Sequence, residues 1–155
     1  MHIPNAIVKT LSTFFYVGYL PFIPGTFASI VGIFLFWLIK DSIFIYTLFI
    51  LVLLILGFWV SGRAERMLKE KDARCIVIDE VSGMLLALIF IPYDIRIMII
   101  AFFLFRLLDT LKPFPAGRIQ SFFGSLGIMG DDIVAGLYTN IILQFVLRYA
   151  SFKTS

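Results

Sequence analysis

The chain has 155 residues, of which 61% are apolar and 15% are charged. Soluble domains are about 45–50% apolar and about 25% charged, so this composition, with a mean hydropathy of +1.01, excludes an ordinary soluble domain and indicates a polytopic membrane protein. The formal net charge is only +3. Its basic cluster at 63–74 is interspersed with acids and flanked by apolar spans, which indicates a cytoplasmic loop and no nucleic-acid partner.

The first part of the chain predicts an interfacial segment followed by a short helix. Residues 5–20 are apolar and aromatic with little charge, as in helices that lie on a membrane. The Pro/Gly-containing turn at 21–26 must end that segment. Thr26 is a candidate N-cap for the next apolar run, 27–39, which is short for a bilayer.

The run 42–60 is the clearest spanning helix, because a bilayer crossing needs about 20 apolar residues. The charged stretch 61–74 follows it and is predicted to begin as helix. Three more apolar runs are predicted to cross, at 81–91, 95–108 and 132–149. The sequence therefore predicts an all-α fold, a polytopic membrane bundle of about four to five short transmembrane helices with an irregular cytoplasmic loop at 112–130, as one domain over 1–155.

Alternate crossings bring the charged motifs to one side. With a cytoplasmic N-terminus, nine of the 13 Lys and Arg residues fall on the cytoplasmic side, in agreement with the positive-inside rule. They are Lys9, Arg63, Arg66, Lys69, Lys71, Arg74, Arg106, Lys112 and Arg118. Eight of the ten acidic residues fall on the same side. We therefore predict one polar site at the cytoplasmic face, which depends most on the run 81–91 crossing the membrane.

Two pairs of adjacent acids, Asp79-Glu80 and Asp131-Asp132, precede apolar runs. Acids at a helix start can simply cap free N–H groups and suit the helix dipole. Two acids at each of two helix starts exceed what capping needs, and like charges near lipid repel each other. A bound cation would relieve that repulsion, and carboxylate ligands without a His or Cys cluster favour Mg²⁺.

Arg106, Asp109 and Lys112 are spaced three apart on one helix face, just before Pro113. This spacing suits a plain ion pair. A forked guanidinium and a flexible ammonium beside carboxylates also suit a phosphate clamp. Both interpretations stay open on the sequence alone.

A small membrane transporter or channel is the alternative from another functional class, since intramembrane charges can line a pathway. It predicts polar residues in the middle of the spans, whereas here they collect at one end. A different lipid-headgroup phosphate enzyme is the alternative within the enzyme class. A transferase that uses a nucleotide-activated lipid would need an Asp-Gly-x-x-Ala-Arg signature, which the sequence lacks.

Four motifs follow one another in the sequence: Pro24-Gly25-Thr26 with Ser29; Ile76-Val77-Ile78-Asp79-Glu80 with Gly83; Phe105-Arg106-x-x-Asp109-x-x-Lys112-Pro113-x-Pro115; and Gly127-Ile128-Met129-x-Asp131-Asp132-Ile133-x-Ala135-Gly136. In these motifs the chain resembles the phosphatidylglycerophosphatase A family, from about Tyr19 to about Gln144. Asp72 also fits. The chain departs from the family where it has Gly124-Ser125 instead of two glycines, and Ile119 near the place of a common acid.

The resemblance implies a multi-pass enzyme of the bacterial inner membrane with its active site facing the cytoplasm. It would hydrolyse phosphatidylglycerophosphate to phosphatidylglycerol and inorganic phosphate, with Mg²⁺ as cofactor and the bilayer lipid as partner. The expected metal ligands are Asp79, Glu80, Asp131 and Asp132; the expected catalytic residues are Asp79, Asp109, Arg106 and Lys112; the expected phosphate-binding residues are Arg106, Lys112, Thr26 and Ser29. Attack by water and formation of an aspartyl-phosphate are both open.

Overall fold

The computed structural model describes residues 4–153, and the side chains of residues 4–149. Within this range the chain is helical and has no strand, as predicted. Its elements are α1 (Asn5–Ser12), a 3-10 turn (Val17–Tyr19), α2 (Pro24–Ile39), α3 (Ile43–Leu68), α4 (Ile78–Leu88), α5 (Ile95–Leu111), α6 (Ala116–Gln120) and α7 (Ser125–Lys153).

The predicted interfacial segment is two pieces, not one helix. Helix α1 ends at Ser12, and the next residues, Phe14 to Tyr16, have positive φ angles. The Tyr16 N–H donates to Thr13 Oγ1 at 3.1 Å, which stabilises this turn. The Val77 N–H donates to the Ser12 carbonyl at 2.9 Å, so the end of α1 is joined to the start of α4.

Helix α2 starts earlier than predicted, with Pro24 in its first turn. Proline suits this position because its φ is already helical and its missing N–H would have no helical partner there. The predicted N-cap role of Thr26 is wrong: Ile23 holds the cap position and Thr26 lies inside the first turn.

Helix α7 also starts earlier than predicted, at Ser125 rather than near residue 132. Gly127 and Gly130, in the predicted irregular loop at 112–130, both lie inside this helix. A Cβ on Gly130 would overlap the Ile119 side chain of the neighbouring segment. These glycines therefore permit close packing, and Asp131-Asp132 lie in the second turn of α7, where helix-start capping does not explain them.

The predicted irregular loop at 112–130 is also more regular than expected, because α6 and the first turns of α7 lie within it. The expectation that the charged stretch 61–74 begins as helix is confirmed, since α3 continues to Leu68.

Two helices in the described part of the chain are long and apolar enough to cross a membrane, α3 and the Ser125–Tyr149 part of α7. The predicted four to five spans are therefore not confirmed by length. Helix α4 has 11 residues, about 17 Å at 1.5 Å per residue, against about 30 Å of hydrocarbon. Its side chains are buried on nearly all sides, so it is the centre of the bundle and does not cross on its own.

Large apolar side chains are exposed along the outer faces of the long helices, among them Phe44, Leu51 and Ile55 on α3 and Phe145 on α7. Soluble monomers rarely expose continuous apolar surface of this extent. Together with the two long apolar helices, this surface indicates membrane association.

The connections α2–α3 and α4–α5 meet at the same end of the bundle. There the ammonium of Lys40 lies 5.6 Å from the ring centre of Tyr93. Helices α2 and α4 therefore begin at the opposite end, where α5 finishes. Helix α7 begins there as well, because Asp131 in its second turn contacts Lys112 at the end of α5. The convergence predicted from alternate chain directions is present in the structure.

Candidate metal and phosphate site

The site is built on a close crossing of α4 and α7. A Cβ on Gly83 would lie 2.7 Å from the carbonyl oxygen of Asp132, and one on Gly136 would overlap the Gly83 carbonyl. Each glycine lies four residues, about one turn, after an aspartate, Asp79 or Asp132. The contact therefore brings the two carboxylates together.

Sequence reasoning missed the role of these two glycines, although a signal was present. The pattern Asp-x-Val-x-Gly occurs twice, at 79–83 and at 132–136. Small residues at helical spacing permit close helix contact in membranes. The repeated pattern was therefore the signal in the sequence for a close contact between the two segments.

Five carboxylates gather at this end of the bundle in two groups. One group contains Asp79, Glu80 and Asp132, and the other contains Asp109, Asp131 and Asp132. Within each group one carboxylate oxygen from each residue lies within 4.8 Å of the others. Asp79, Asp131 and Asp132 are 6%, 5% and 3% exposed, so these charges lie almost entirely out of water.

The first group fits a hard cation. Asp79 Oδ1 and Glu80 Oε2 are buried and have no hydrogen-bond partner. A buried polar atom left unpaired costs about 1–3 kcal/mol, and more when it is charged. Carboxylate oxygens are ligands that Mg²⁺ prefers, and a divalent ion would satisfy both orphaned atoms.

Burial shifts the proton equilibria of the first group. Burial first, and then the charges of Glu80 and Asp132, raise the pKa of Asp79 well above its usual value. Burial raises the pKa of Glu80 to about 7. Both carboxyl groups are therefore easier to protonate than in water, as expected of buried acids without a compensating cation.

Two basic side chains from the end of α5 border the acids. Arg106 Nη1 lies 2.8 Å from Asp109 Oδ2, but its N–H is not aligned for a hydrogen bond, so the contact is an ion pair. Lys112 caps α5 in the left-handed conformation. Its ammonium contacts Asp131 Oδ2 and lies 3.9 Å from Asp109 Oδ1.

The carboxylates around Lys112 favour its charged form. Burial alone would lower the pKa of this ammonium. The hydrogen bond to Asp131 and the charges of Asp131, Asp109 and Asp132 outweigh burial and raise the pKa above its usual value. Lys112 is therefore a permanent cation of the site near neutral pH.

The first turn of α2 forms the remaining wall. A Cβ on Gly25 would overlap Glu80 Oε1 and lie 3.2 Å from Arg106 Nη1, so only glycine lets the backbone approach these groups. Thr26 is partly buried in the same turn. The Ser29 hydroxyl is fully buried and donates to the Gly25 carbonyl at 2.9 Å, so its proton is engaged within the helix.

A second network, which sequence reasoning did not identify, joins the loops around the site. Glu65 Oε2 accepts from the Gly124 N–H at 2.7 Å, and its Oε1 accepts from the Asp72 N–H at 3.3 Å. The Gln120 side chain donates to Asp72 Oδ2 at 3.0 Å. Glu65 thus links the end of α3 to the start of α7, the helix that carries Asp131 and Asp132.

Comparison with known proteins identifies similar chains. The family described as phosphatidylglycerophosphatase A matches residues 10–147. A Bacteroides thetaiotaomicron protein, provisionally named phosphatidylinositol-3-phosphatase, is 34% identical and covers 90% of this chain and 93% of its own. Phosphatidylglycerophosphatase A of Escherichia coli is 32% identical over 83% of this chain and 77% of its own. Phosphatidylglycerophosphatase A of Haemophilus influenzae is 33% identical over 81% of this chain and 79% of its own. No solved structure shows a significant match.

Proposed function

The chain belongs to the phosphatidylglycerophosphatase A family, and from this premise we propose that it hydrolyses phosphatidylglycerophosphate to phosphatidylglycerol and inorganic phosphate. The observation that carries the proposal is that two buried carboxylate oxygens without partners, on Asp79 and Glu80, lie at the same end of the bundle as the cations Arg106 and Lys112, which pair with other acids. A cation-binding acid group beside an anion-binding pair suits a phosphate ester.

Asp79, Glu80 and Asp132 would hold Mg²⁺, because their oxygens converge and two of them lack partners. When bound, the ion would polarise the phosphoryl group and lower the pKa of the attacking water. Asp131, the fourth acid predicted as a ligand, contacts Lys112.

The basic residues of the chain would bind the phosphate ester. Arg106 offers a planar fork and Lys112 a compact ammonium, which together neutralise the charge on the phosphoryl oxygens as the ester bond breaks. Asp109 lies between them, so it orients both donors and could accept the proton of the attacking water. Thr26 and Ser29 stay candidates for the α2 side of the phosphate pocket.

The enzyme would act as a multi-pass protein of the bacterial inner membrane. Helices α3 and α7 would cross the bilayer, with α2 and α5 completing a bundle of four spans around α4. The acid cluster lies at the end that also carries Arg63, Arg66 and Arg118, and a cytoplasmic position for these charges follows the positive-inside rule. A lipid headgroup would reach the site from that surface.

Phosphatidylinositol 3-phosphate is a second candidate substrate, because the Bacteroides thetaiotaomicron relative carries that assignment in its name. Both lipids present a phosphomonoester on a polar headgroup, so the same acid and basic groups could bind either. The two lipids differ in the bulk of the headgroup, and a direct competition assay measures which of them the enzyme prefers.

The test is phosphate release by the purified protein in detergent, with and without Mg²⁺, from each of the two lipids. We expect Mg²⁺-dependent release from phosphatidylglycerophosphate. Asp79→Asn should abolish it while leaving the melting temperature near that of wild type, and Asp41→Asn, an exposed acid at the opposite end of the bundle, should leave it unchanged. Near-normal turnover by Asp79→Asn, or hydrolysis of phosphatidylinositol 3-phosphate alone, would overturn the assignment.

A further inference from the structure

The two carboxylate groups of the site share Asp132 but differ in how their charges are compensated. Within the described residues, the ion pairs closer than 4.0 Å at this end of the bundle involve Asp109 and Asp131. Asp79 and Glu80 have no such pair, and each keeps a buried oxygen without a hydrogen-bond partner. One group is therefore open to a cation, and the other already contains one.

The cation in the second group is Lys112. Its ammonium contacts Asp131 Oδ2 and lies within 4 Å of Asp109 Oδ1, two of the three members of that group. The backbone places this residue at the site end of the bundle, because Lys112 caps α5 and Pro113 follows it. An ammonium has three donors, so it can contact both acids and still offer a proton to a phosphate oxygen.

Charge repulsion from the Lys112 ammonium disfavours binding of a second metal ion at this position. A divalent ion in the Asp109–Asp131–Asp132 group would compete with the ammonium for the same oxygens. Moving the ammonium away would leave a charged, partly buried side chain without its carboxylate partners, which is costly. A divalent ion in the first group displaces no cation and satisfies two orphaned oxygens.

We infer that the site binds one divalent ion, held by Asp79, Glu80 and Asp132, and that the Lys112 ammonium occupies the place a second ion would take. Asp131 then serves as the partner of Lys112 and not as a metal ligand. This inference rests on the proposed function, which supplies the divalent ion. It limits the chemistry to a single metal ion with a fixed organic cation beside it.

The first experiment counts ions with Mn²⁺, which prefers the same oxygen ligands as Mg²⁺ and has an electron paramagnetic resonance signal. Wild-type protein in detergent should bind one Mn²⁺ per chain, with a spectrum free of Mn–Mn coupling. Lys112→Met, which keeps the length and removes the charge, should bind a second ion and show coupling. Lys112→Arg should bind one. Two coupled ions in wild type would overturn the inference.

The second experiment distinguishes the roles of Asp131 and Asp132, which are adjacent on α7. Asp79→Asn and Asp132→Asn should each weaken Mn²⁺ binding by more than about tenfold. A loss of about tenfold is typical even when the changed residue only hydrogen-bonds to a metal ligand. Asp131→Asn should retain one Mn²⁺ per chain with less than that loss. Loss of binding in Asp131→Asn that equals the loss in Asp79→Asn would place the ion in the second group and contradict the inference.

These measurements also distinguish failure of the inference from failure of the proposed function. Wild-type protein that binds two ions and releases phosphate from phosphatidylglycerophosphate would refute the single-ion site and leave the activity standing. Protein that binds one ion but acts on neither phospholipid would refute the proposed substrates and leave the ion count standing. Folding of each variant is checked by its circular dichroism spectrum and elution volume.

Discussion

Gly83 and Gly136 face each other where α4 crosses α7, and a Cβ on Gly136 would lie 3.2 Å from the Cα of Gly83 and overlap its carbonyl oxygen. No side chain fits between the two backbones at this point. Because Asp79 and Asp132 lie one turn before the crossing, the distance between the helices sets the distance between the two carboxylates.

Gly136→Ala should separate α4 from α7 and reduce activity strongly. Overpacking of this kind costs about 1–3 kcal/mol of stability, and the displaced Asp132 would bind the cation poorly. Leu137→Ala, next in sequence and exposed on the outer face, is the matched control and should keep near-normal turnover. Phosphate release and thermal melting in detergent measure both effects. Equal turnover by the two variants would show that the close crossing is not required.

Asn140 stabilises the end of the short helix α4. Its side-chain nitrogen donates to the Ala87 carbonyl at 3.0 Å and to the Ile89 carbonyl at 2.7 Å, near the point where the helix ends and its carbonyls lack helical partners. Asn140→Leu should lower the free energy of unfolding by about 1–2 kcal/mol. Gln144→Leu removes only a donor to Asn140 and should cost less, as measured by denaturant titration in detergent.

Glu65 should affect activity from outside the carboxylate cluster. Glu65→Gln leaves one acceptor oxygen for two N–H groups, so either Gly124 or Asp72 loses its partner. Hydrogen bonds to charged groups contribute about 1.5–3 kcal/mol, and we expect lower stability and a several-fold fall in kcat as the start of α7 loosens. Glu70→Gln, an exposed acid in the same segment, should leave both quantities unchanged.

Stability of the metal-free protein should fall as pH rises. Glu80 has a pKa of about 7 in the folded protein against an ordinary value of 4.5, and the pKa of Asp79 is raised as well. The folded state therefore holds protons that the unfolded state has lost between pH 4.5 and 7. By proton linkage, the free energy of unfolding decreases across that window.

Mg²⁺ should reverse this loss, because it binds the deprotonated carboxylates. The melting temperature in Mg²⁺ should exceed that in a chelator by a larger margin at pH 8 than at pH 5.5. Glu80→Gln cannot ionise at that position, so it should show a weaker pH dependence without metal. A metal-induced shift that is the same at both pH values would contradict the prediction.

The sequence predicted membrane association and which charged residues gather at one end of the bundle. Both depend on local properties: long apolar runs, and charges placed at their ends. Asp79-Glu80 and the Arg106–Lys112 segment lie at the end of the bundle where alternate chain directions put them, because a helix that starts at one end must finish at the other. The family resemblance was confirmed for the same reason, since its motifs are local and ordered.

The tertiary structure decided which of these charges are partners. Gly127 and Gly130 suggest a loop by propensity, but they pack inside α7 because only glycine fits against the neighbouring segment. Three contacts join residues far apart in sequence: the ion pair of Lys112 with Asp131, the hydrogen bond from Gly124 to Glu65, and the crossing at Gly83 and Gly136. Such contacts depend on how two surfaces fit in three dimensions, and the helical periodicity of the sequence does not specify that fit.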